Sequence, residues 1–356
     1  MSFIFADSFD HYSTTDISKK WNAVNQPWVI TAGRLGGNGL GGGYPFAGIA
    51  EGANVATVFS SASNSFIMGA AVNFAASGSG YTIINFFQLS YRGTYQVGLR
   101  INFDGTLSII AGGNNSNGSV TLATSAESIQ LNTFNYIELK AAISTSVSAH
   151  TVQARVNGVI VCEASAGANT DPAGASTANS AALQFPYFIP GDGSVVFDDF
   201  YLCDGTGSTN NDFLGDVAVT DLYPNGNGST NNFINNNGNS VNNYSHVNAD
   251  PTNDGATYVQ SSNQGDIDLY GFGSLPYSGT VHALQQIIEV EKSDAGARTV
   301  APIINISSNN YQGIVVTPPT SSYLYYMSPY DTNPNTTNPW TDNDVNNAEY
   351  GIEIVS

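Results

Sequence analysis

The sequence predicts an all-β protein built as two tandem β-sandwich, jelly-roll-like domains. Three observations carry that prediction. Apolar residues recur at every second position in many segments, the period of a strand with one buried face. Gly, Asn and Ser separate these segments at intervals of about 8–12 residues, the spacing of sandwich turns. The composition lacks the joint enrichment in Ala, Leu, Glu, Lys and Arg that long helices need. The chain has 356 residues, of which 41% are hydrophobic, 11% aromatic and only 10% charged. An average globular chain carries roughly 25% charged residues. Ser, Thr, Asn and Gly must therefore cover much of the surface.

The elements follow in chain order. Strands are predicted at 3–9, 55–59, 66–74, 81–91, 106–111 and 195–203. In TYQVGLRINF, Tyr95, Val97, Leu99, Ile101 and Phe103 share one face, and Gln96, Arg100 and Asn102 take the other. In FNYIELKAAI, Ile137, Leu139, Ala141 and Ile143 alternate with Tyr136, Glu138 and Lys140. HTVQARVNGVIVC places Asn157-Gly158 between two alternating runs. That dipeptide signals a hairpin, because both positions must accept positive φ. TDNDVNNAEYG reads as a helix of about two turns, with Thr341 as N-cap and Gly351 as its stop. The glycine run 33–43 reads as turns beside a short edge strand; it lacks the Lys-Ser/Thr of a phosphate loop.

A small-polar stretch near 204–213 divides the chain into domains 1–205 and 206–356. The acidity is lopsided: of the net charge of −19, −6 falls on the first domain and −13 on the second. Residues 225–243 are rich in Asn and read as a long exposed loop, or a partner-dependent segment, rather than a strand. Both domains close on a strand-like segment, VVFDDFYLCD and YGIEIVS. A sandwich whose last strand returns beside its first would pair 3–9 with 195–203.

Composition excludes several functions. Nine Lys and Arg residues cannot form the basic stripe of a nucleic-acid interface. Nineteen Tyr and eighteen Phe exclude a disordered chain. No run approaches 18 apolar residues, so no membrane-spanning helix is expected. The N-terminus has neither a basic n-region nor a long apolar core, which predicts a soluble chain made in a cytoplasm. Cys162 and Cys203 both sit in strand-like runs and read as two buried thiols, with a disulfide between them as the alternative.

The search for chemistry assigns no catalytic residue, metal or cofactor. A glycosidase needs two carboxyl groups at a set separation. Adjacent Asp198 and Asp199 point to opposite faces of a strand, and Asp199 and Asp204 do not share one. Glu289 and Glu291 do share a face, but read as solvated beside a turn. His11, His150, His246 and His282 are scattered, and no Gly-x-Ser-x-Gly elbow occurs. Asp192, Asp198, Asp199, Asp204, Asp212 and Asp216 gather near the domain junction, and Asp254-Gly255 adds a further Asp-Gly turn. Calcium would want six to eight oxygens, and turn-capping by these side chains is the simpler reading. Two aromatic groups, Tyr323, Tyr325, Tyr326, Tyr330 with Trp340, and Trp21, Trp28 with Tyr44, could stack on sugars or fill cores.

FADSFDHYSTTDISKKW, GRLGGNGL and VVFDDFYLCDGTGSTNNDFLGDVAVTDLYPNGNG resemble bacteriophage structural proteins that carry a concanavalin A-like lectin/glucanase sandwich. DGATYVQSS, GDIDLYGF, EKSDAGARTVAPII and WTDNDVNNAEYGIEIV extend the resemblance along the second half. The FDDFYLCDGTG–FLGD junction is the most distinctive of these motifs. The resemblance implies that the first domain is concanavalin A-like. It implies a non-enzymatic virion component, at the tail or tail tip or as a head-surface decoration, assembled in the host cytoplasm. Its partners would be other virion proteins and copies of itself. The alternative is a glycan-binding host-attachment protein of the virion; a polysaccharide hydrolase is the weaker rival. The resemblance carries over no site residues.

Overall fold

The computed structural model describes residues 2–25, 28–43, 54–76, 84–113, 118–184 and 193–356. It comprises two units: Met1–Phe9 with Trp21–Val219, and Asp10–Lys20 with Thr220–Ser356. The stretch 10–20 thus belongs with the C-terminal part of the chain, and 206–219 with the N-terminal part.

The first unit contains, in chain order, β1 (Phe3–Asp7), β2 (Ala23–Val24), β3 (Val29–Ala32), β4 (Asn38–Gly43) and β5 (Asn54–Ser63). Next come β6 (Ser65–Ala76), β7 (Ile84–Tyr91), β8 (Thr94–Ile101), β9 (Thr106–Ala111) and β10 (Val120–Ser128). The last five are β11 (Phe134–Ala142), β12 (Val152–Val156), β13 (Val159–Glu163), β14 (Ala178–Gln184) and β15 (Gly193–Asp204). They form two antiparallel sheets. One runs β13-β12-β11-β6-β15-β4-β3, with β1 also on β15; the other runs β10-β9-β8-β7-β14-β5-β2. Phe74 and Phe197 of the first meet Phe86 and Phe87 of the second, with ring centroids 5.3 and 6.5 Å apart. This is the all-β sandwich that the alternation predicts. The Asn157-Gly158 turn adopts φ of 49° and 81°, as a two-residue hairpin requires. Cys162 and Cys203 are both buried, and no disulfide joins them.

The first and last strands do pair: Phe5 lies opposite Leu202 and Asp7 opposite Phe200. β4 takes the same edge of β15 just before, from Ser194–Gly43 to Phe197–Leu40. The glycine run is therefore turns beside the short edge strand β3 only over 33–37, and its second part, 38–43, is itself strand. β4 is an interior strand, between β15 and β3. A Cβ on Gly39 would come within 2.8 Å of both the Phe197 carbonyl oxygen and Val196 Cγ1. Glycine is what permits that approach. The expected Phe103 end of β8 also differs. The strand stops at Ile101, and Phe103 is exposed in the turn. Residues 81–83 of the expected strand 81–91, with Tyr44 and Asp192, fall outside the described residues.

The second unit contains β16 (Pro224–Asn231), β17 (Ile234–Asn235), β18 (Val259–Gln260), β19 (Ile267–Phe272) and β20 (Leu284–Val290). β21 (Val300–Ile306), β22 (Asn309–Gln312), β23 (Leu324–Tyr330) and β24 (Glu349–Ile354) complete it, with short helices α1 (Ile17–Lys20) and α2 (Asp342–Asn347). A five-stranded sheet runs β16-β19-β24-β21-β22, and β20 pairs with β23. Ile304, Trp340, Val345 and Tyr350 form a core against Leu284 and Tyr330. The closing strand β24 lies in the middle of this sheet, with β19 between it and the unit's first strand, so it does not return beside that strand.

Two expectations fail here. The Asn-rich segment is not a long exposed loop. Its first part is β16, paired to β19, and Asn235 and Asn243 are 1% and 0% exposed. Asn243 Nδ2 donates to the Phe233 carbonyl (3.0 Å) and to Asp268 Oδ2 (2.8 Å). Asn235 Nδ2 donates to Asn243 Oδ1 at 3.3 Å. Side-chain amides thus satisfy one another inside the fold, which a hydropathy pattern does not register. Gly351 does not stop the helix either. α2 is capped by Thr341, whose hydroxyl accepts from Asp344 N at 3.1 Å, but it ends at Asn347 and Gly351 lies within β24.

Candidate functional site

The acidic residues near the first unit's closing strand are tied to structural partners. Alternation places Asp198 and Asp199 on opposite faces, yet both carboxylates reach Arg34 in the β3–β4 turn. Asp198 Oδ2 accepts from Arg34 N at 2.7 Å, and Asp199 Oδ2 accepts from Arg34 Nε. The cause is a bulge: Asp199 has φ 50°, and the pairing with β6 shifts register between Asp198 and Tyr201. Burial pushes Asp199 up, and the Arg34 bond only partly offsets it. The segment after β15 lies over the same face. Val219 N donates to Asp199 Oδ1 at 2.6 Å, and Gly215 N to the buried Glu138 Oε1 at 2.8 Å. Tyr201 OH also donates to Glu138 Oε1, at 2.6 Å. Phe213 covers Arg155, 4.0 Å from guanidinium to ring centroid. Asp204 caps a turn, accepting from Thr206 N at 2.8 Å, and Asp212 pairs with Lys140 at 3.0 Å.

In the second unit, Glu289 is not solvated. Its Oε1 lies 3.2 Å from Lys19 Nζ, which also meets Asp16 Oδ1 at 2.9 Å and Asp254. Glu291 is exposed. His11 Nδ1 is hydrogen-bonded to Asp221 Oδ2 at 2.9 Å, but its Nε2 is buried without a partner, so no hydroxyl nucleophile completes a triad. Trp21, Trp28 and Trp340 are buried at 1–3% exposure, and Tyr325 at 5%, so these rings fill cores instead of offering a sugar platform. Among the described residues, no three His, Cys, Asp or Glu side chains are placed to hold a metal ion. No helix among them is long and apolar enough to cross a membrane.

A different surface stands out: the face of the seven-stranded sheet turned away from the core. The register of its strands builds it. Asn85 stands opposite Arg100, Arg100 opposite Ser108, and Ser108 opposite Thr124. In the next row Ala182 faces Gln88, and Gln88 faces Gly98. In the row after it Ser180 faces Ser90, and Ser90 faces Tyr95. A bulge between Asn85 and Phe87 lets Asn85 and Gln88 share this face at a spacing of three, while Phe86 and Phe87 both enter the core. Gly98 stands opposite Gln88, where a Cβ would collide with the Phe87 carbonyl oxygen.

The hydrogen bonding on this face is unfinished. Ser108 and Thr124 hydroxyls bond at 2.8 Å, Asn102 Nδ2 donates to Ser108 Oγ at 2.8 Å, and Gln184 Nε2 donates to Tyr95 OH at 2.9 Å. Asn85, only 4% exposed, has no partner for either amide atom, and Gln88, 2% exposed, has none for Oε1. Burying an amide group unsatisfied costs about 1–3 kcal/mol. Native interiors rarely tolerate this without a water, ligand or role to account for it. The Arg100 end of the row is more open, with Thr121 exposed beside it.

The chain matches no family model and no curated protein. Solved structures do align with about half of it. The cellulose-induced protein Cip1 shares 14% identity over 56% of this chain and 96% of its own, with a TM-score of 0.39. An alginate lyase, Aly36B, in complex with an alginate tetrasaccharide, shares 13% identity over 56% of this chain and 95% of its own (TM-score 0.37). The carbohydrate-binding module CBM66 from Bacillus subtilis shares 12% identity over 51% and 94%, respectively (TM-score 0.34).

Sequence reasoning places Arg100 on the polar side of its strand, and the structure agrees; Asn102 lies just past the strand's end, and Tyr95, expected on the apolar side, stands opposite Ser90 across a register shift. That reasoning gives no sign of Asn85 and Gln88. Their common face depends on the bulge at Phe86, and two adjacent phenylalanines in an apolar run carry no mark of it.

Proposed function

We propose that this chain is a non-enzymatic, saccharide-binding structural protein of a bacteriophage particle. The observation that carries the binding reading is the buried Asn85 amide, unpartnered at both atoms, with the buried, unpartnered Oε1 of Gln88 on the same hydroxyl- and amide-lined face of the seven-stranded sheet. Saccharides present donors and acceptors in alternation, which is what a primary amide with both atoms unpaired can receive. Half-buried Tyr95 adds an aromatic body and a polar tip to the same face.

The non-enzymatic part is supported by where the acids go. Hydrolysis by a carboxyl pair needs two acids flanking the bond. The rows Asn85–Arg100–Ser108–Thr124 and Ala182–Gln88–Gly98 contain none. Asp198, Asp199, Glu138 and Glu289 are engaged elsewhere, with Arg34, Tyr201 and Lys19. The assignment to a phage particle rests on the motif resemblance, and a surface low in charge suits it, since contacts made without ions depend little on salt.

A glycan array probed with the labelled full chain tests the binding reading. Binding to at least one saccharide class, abolished by Asn85→Ala with Gln88→Ala, is expected. An array with no bound saccharide overturns it. Mass spectrometry of purified particles tests the location: a fixed copy number is expected, and absence from intact particles overturns it.

A further inference from the structure

We infer that the saccharide received on this face is acidic, and that Arg100 is the residue that takes its carboxylate or sulfate group. The inference rests on the saccharide-binding reading above and names the ligand's class. Arg100 has five N–H donors. Its Nε donates to Asn102 Oδ1 at 3.1 Å, Nη1 to Ser119 Oγ at 3.5 Å and Nη2 to Thr121 Oγ1 at 2.7 Å. All three partners are neutral, so two donors and the full positive charge remain.

Of the other four cations of this unit, two are paired with acids and two lie on rings, Arg92 on Tyr91 among them. Arg34 meets Asp199 and Asp216, Lys140 meets Asp212, and Arg155 lies against the Phe213 ring. Arg100 is half-buried, and burial alone pulls its guanidinium below the ordinary value. A charge held in that setting gains from an anion arriving with the ligand.

Placement gives the second argument. Arg100 and Asn85 are direct cross-strand neighbours, so their Cβ atoms lie about 4.5–5.5 Å apart. A uronate or sulfated sugar spans that distance, with its anion on the guanidinium and a neighbouring hydroxyl on the amide. The chain's net charge of −19 repels anions at long range. A preference for an acidic sugar must therefore come from a local site.

Calorimetry on the full chain tests this with matched probes. Oligogalacturonate is compared with its methyl ester, and a sulfated malto-oligosaccharide with the unsulfated one. At least one acidic probe is expected to bind about tenfold more tightly than its neutral partner, the better of the two telling carboxylate from sulfate. Arg100→Gln should erase that preference, and Arg100→Lys should retain part of it. Equal affinity within both pairs, or a preference unchanged by Arg100→Gln in a variant with the parent's melting temperature, overturns the inference alone. If neither these probes nor any array saccharide binds, the saccharide reading falls and the inference with it.

Discussion

Arg34 and Asp199, 165 residues apart in sequence, form a buried ion pair on the outer face of the first unit's eight-stranded sheet. The pair sits where the edge of β15 passes from β4 to β1, between Leu40–Phe197 and Asp7–Phe200. Asp199 also accepts from Val219 N, and Arg34 Nη2 donates to the Val217 carbonyl. One ion pair thus joins the β3–β4 turn, the closing strand and the segment after it. Two adjacent aspartates that could suggest catalysis are instead a structural clasp.

Arg34→Met should therefore destabilise the first unit by about 3–5 kcal/mol, because it leaves Asp199 buried without its counter-charge. Arg34→Met with Asp199→Asn should recover most of the loss, since the charge goes with its partner. Urea unfolding of the four members of this cycle gives the coupling energy. A single-variant loss below about 1 kcal/mol would show that the pair does not clasp this edge.

Lys19 gives a pH-dependent counterpart in the second unit. It stands among Asp16, Asp254 and Glu289, and its pKa is raised; burial opposes that rise, and its carboxylate partners outweigh burial. Through the lysine's own titration this contribution is fully present below the ordinary lysine value of 10.5 and is lost as pH rises through the raised one, and on the acid side it fades as Glu289 takes up a proton. Lys19→Met leaves three carboxylates facing one another. Burial already pushes Glu289 above its ordinary 4.5. The variant should lose on the order of 2 kcal/mol at pH 7, less than a fully buried pair because Asp254 is half exposed. It should regain part of that as pH falls through Glu289's raised range. Thermal melts from pH 4 to 8 read this directly; a variant whose deficit widens on acidification would contradict the arrangement.

What could be read in the sequence, and what could not, follows one physical line. β8, β11 and the β12–β13 hairpin were legible because a half-buried strand shows its two faces as two residue classes. The Asn157-Gly158 turn was legible because few dipeptides accept positive φ twice. β4 was not, since glycines have no side chains to alternate. β16 and the Asn235–Asn243 cluster were not, because burial by mutual amide hydrogen bonding looks like solvation in a hydropathy pattern. The bulges at Asp199 and Phe86 reversed the facing of the residues around them, and those are the residues that decide the two polar sites. Arg100 could be placed on its face; its lack of an acidic partner among the described residues could not, because that depends on which strands lie beside it.

Gly351 and Gly226 form a matched pair of tests for the second unit's sheet. A Cβ on Gly351 would collide with the Asp268 carbonyl oxygen of the neighbouring strand, whereas one on Gly226 meets nothing within 4 Å. Gly351→Ala should cost several kcal/mol, at least the ~1–3 kcal/mol of an overpacked site, because backbone must move to accept it. Gly226→Ala should stay within about 0.5 kcal/mol. Denaturant midpoints for the two variants compare them. Equal midpoints would contradict the close β19–β24 approach, and with it the assignment of Gly351 to a strand interior.

Asn85 connects stability to binding in a way that separates a ligand site from an ordinary core position. Both its amide atoms are buried without partners, at an expense of about 1–3 kcal/mol each where no water compensates. Leucine has the same branched shape and no polar atoms. At a purely structural position the native residue is the better one, and Asn85→Leu would destabilise. At a site held open for a saccharide, the amide is kept against the fold's own preference, as functional residues often are. Asn85→Leu should then raise the first unit's stability by about 1 kcal/mol and abolish binding of any saccharide found on the array. Melting curves and calorimetry on one preparation give both readings. A destabilised variant that still binds would remove Asn85 from the site, and with it the observation on which the saccharide reading stands.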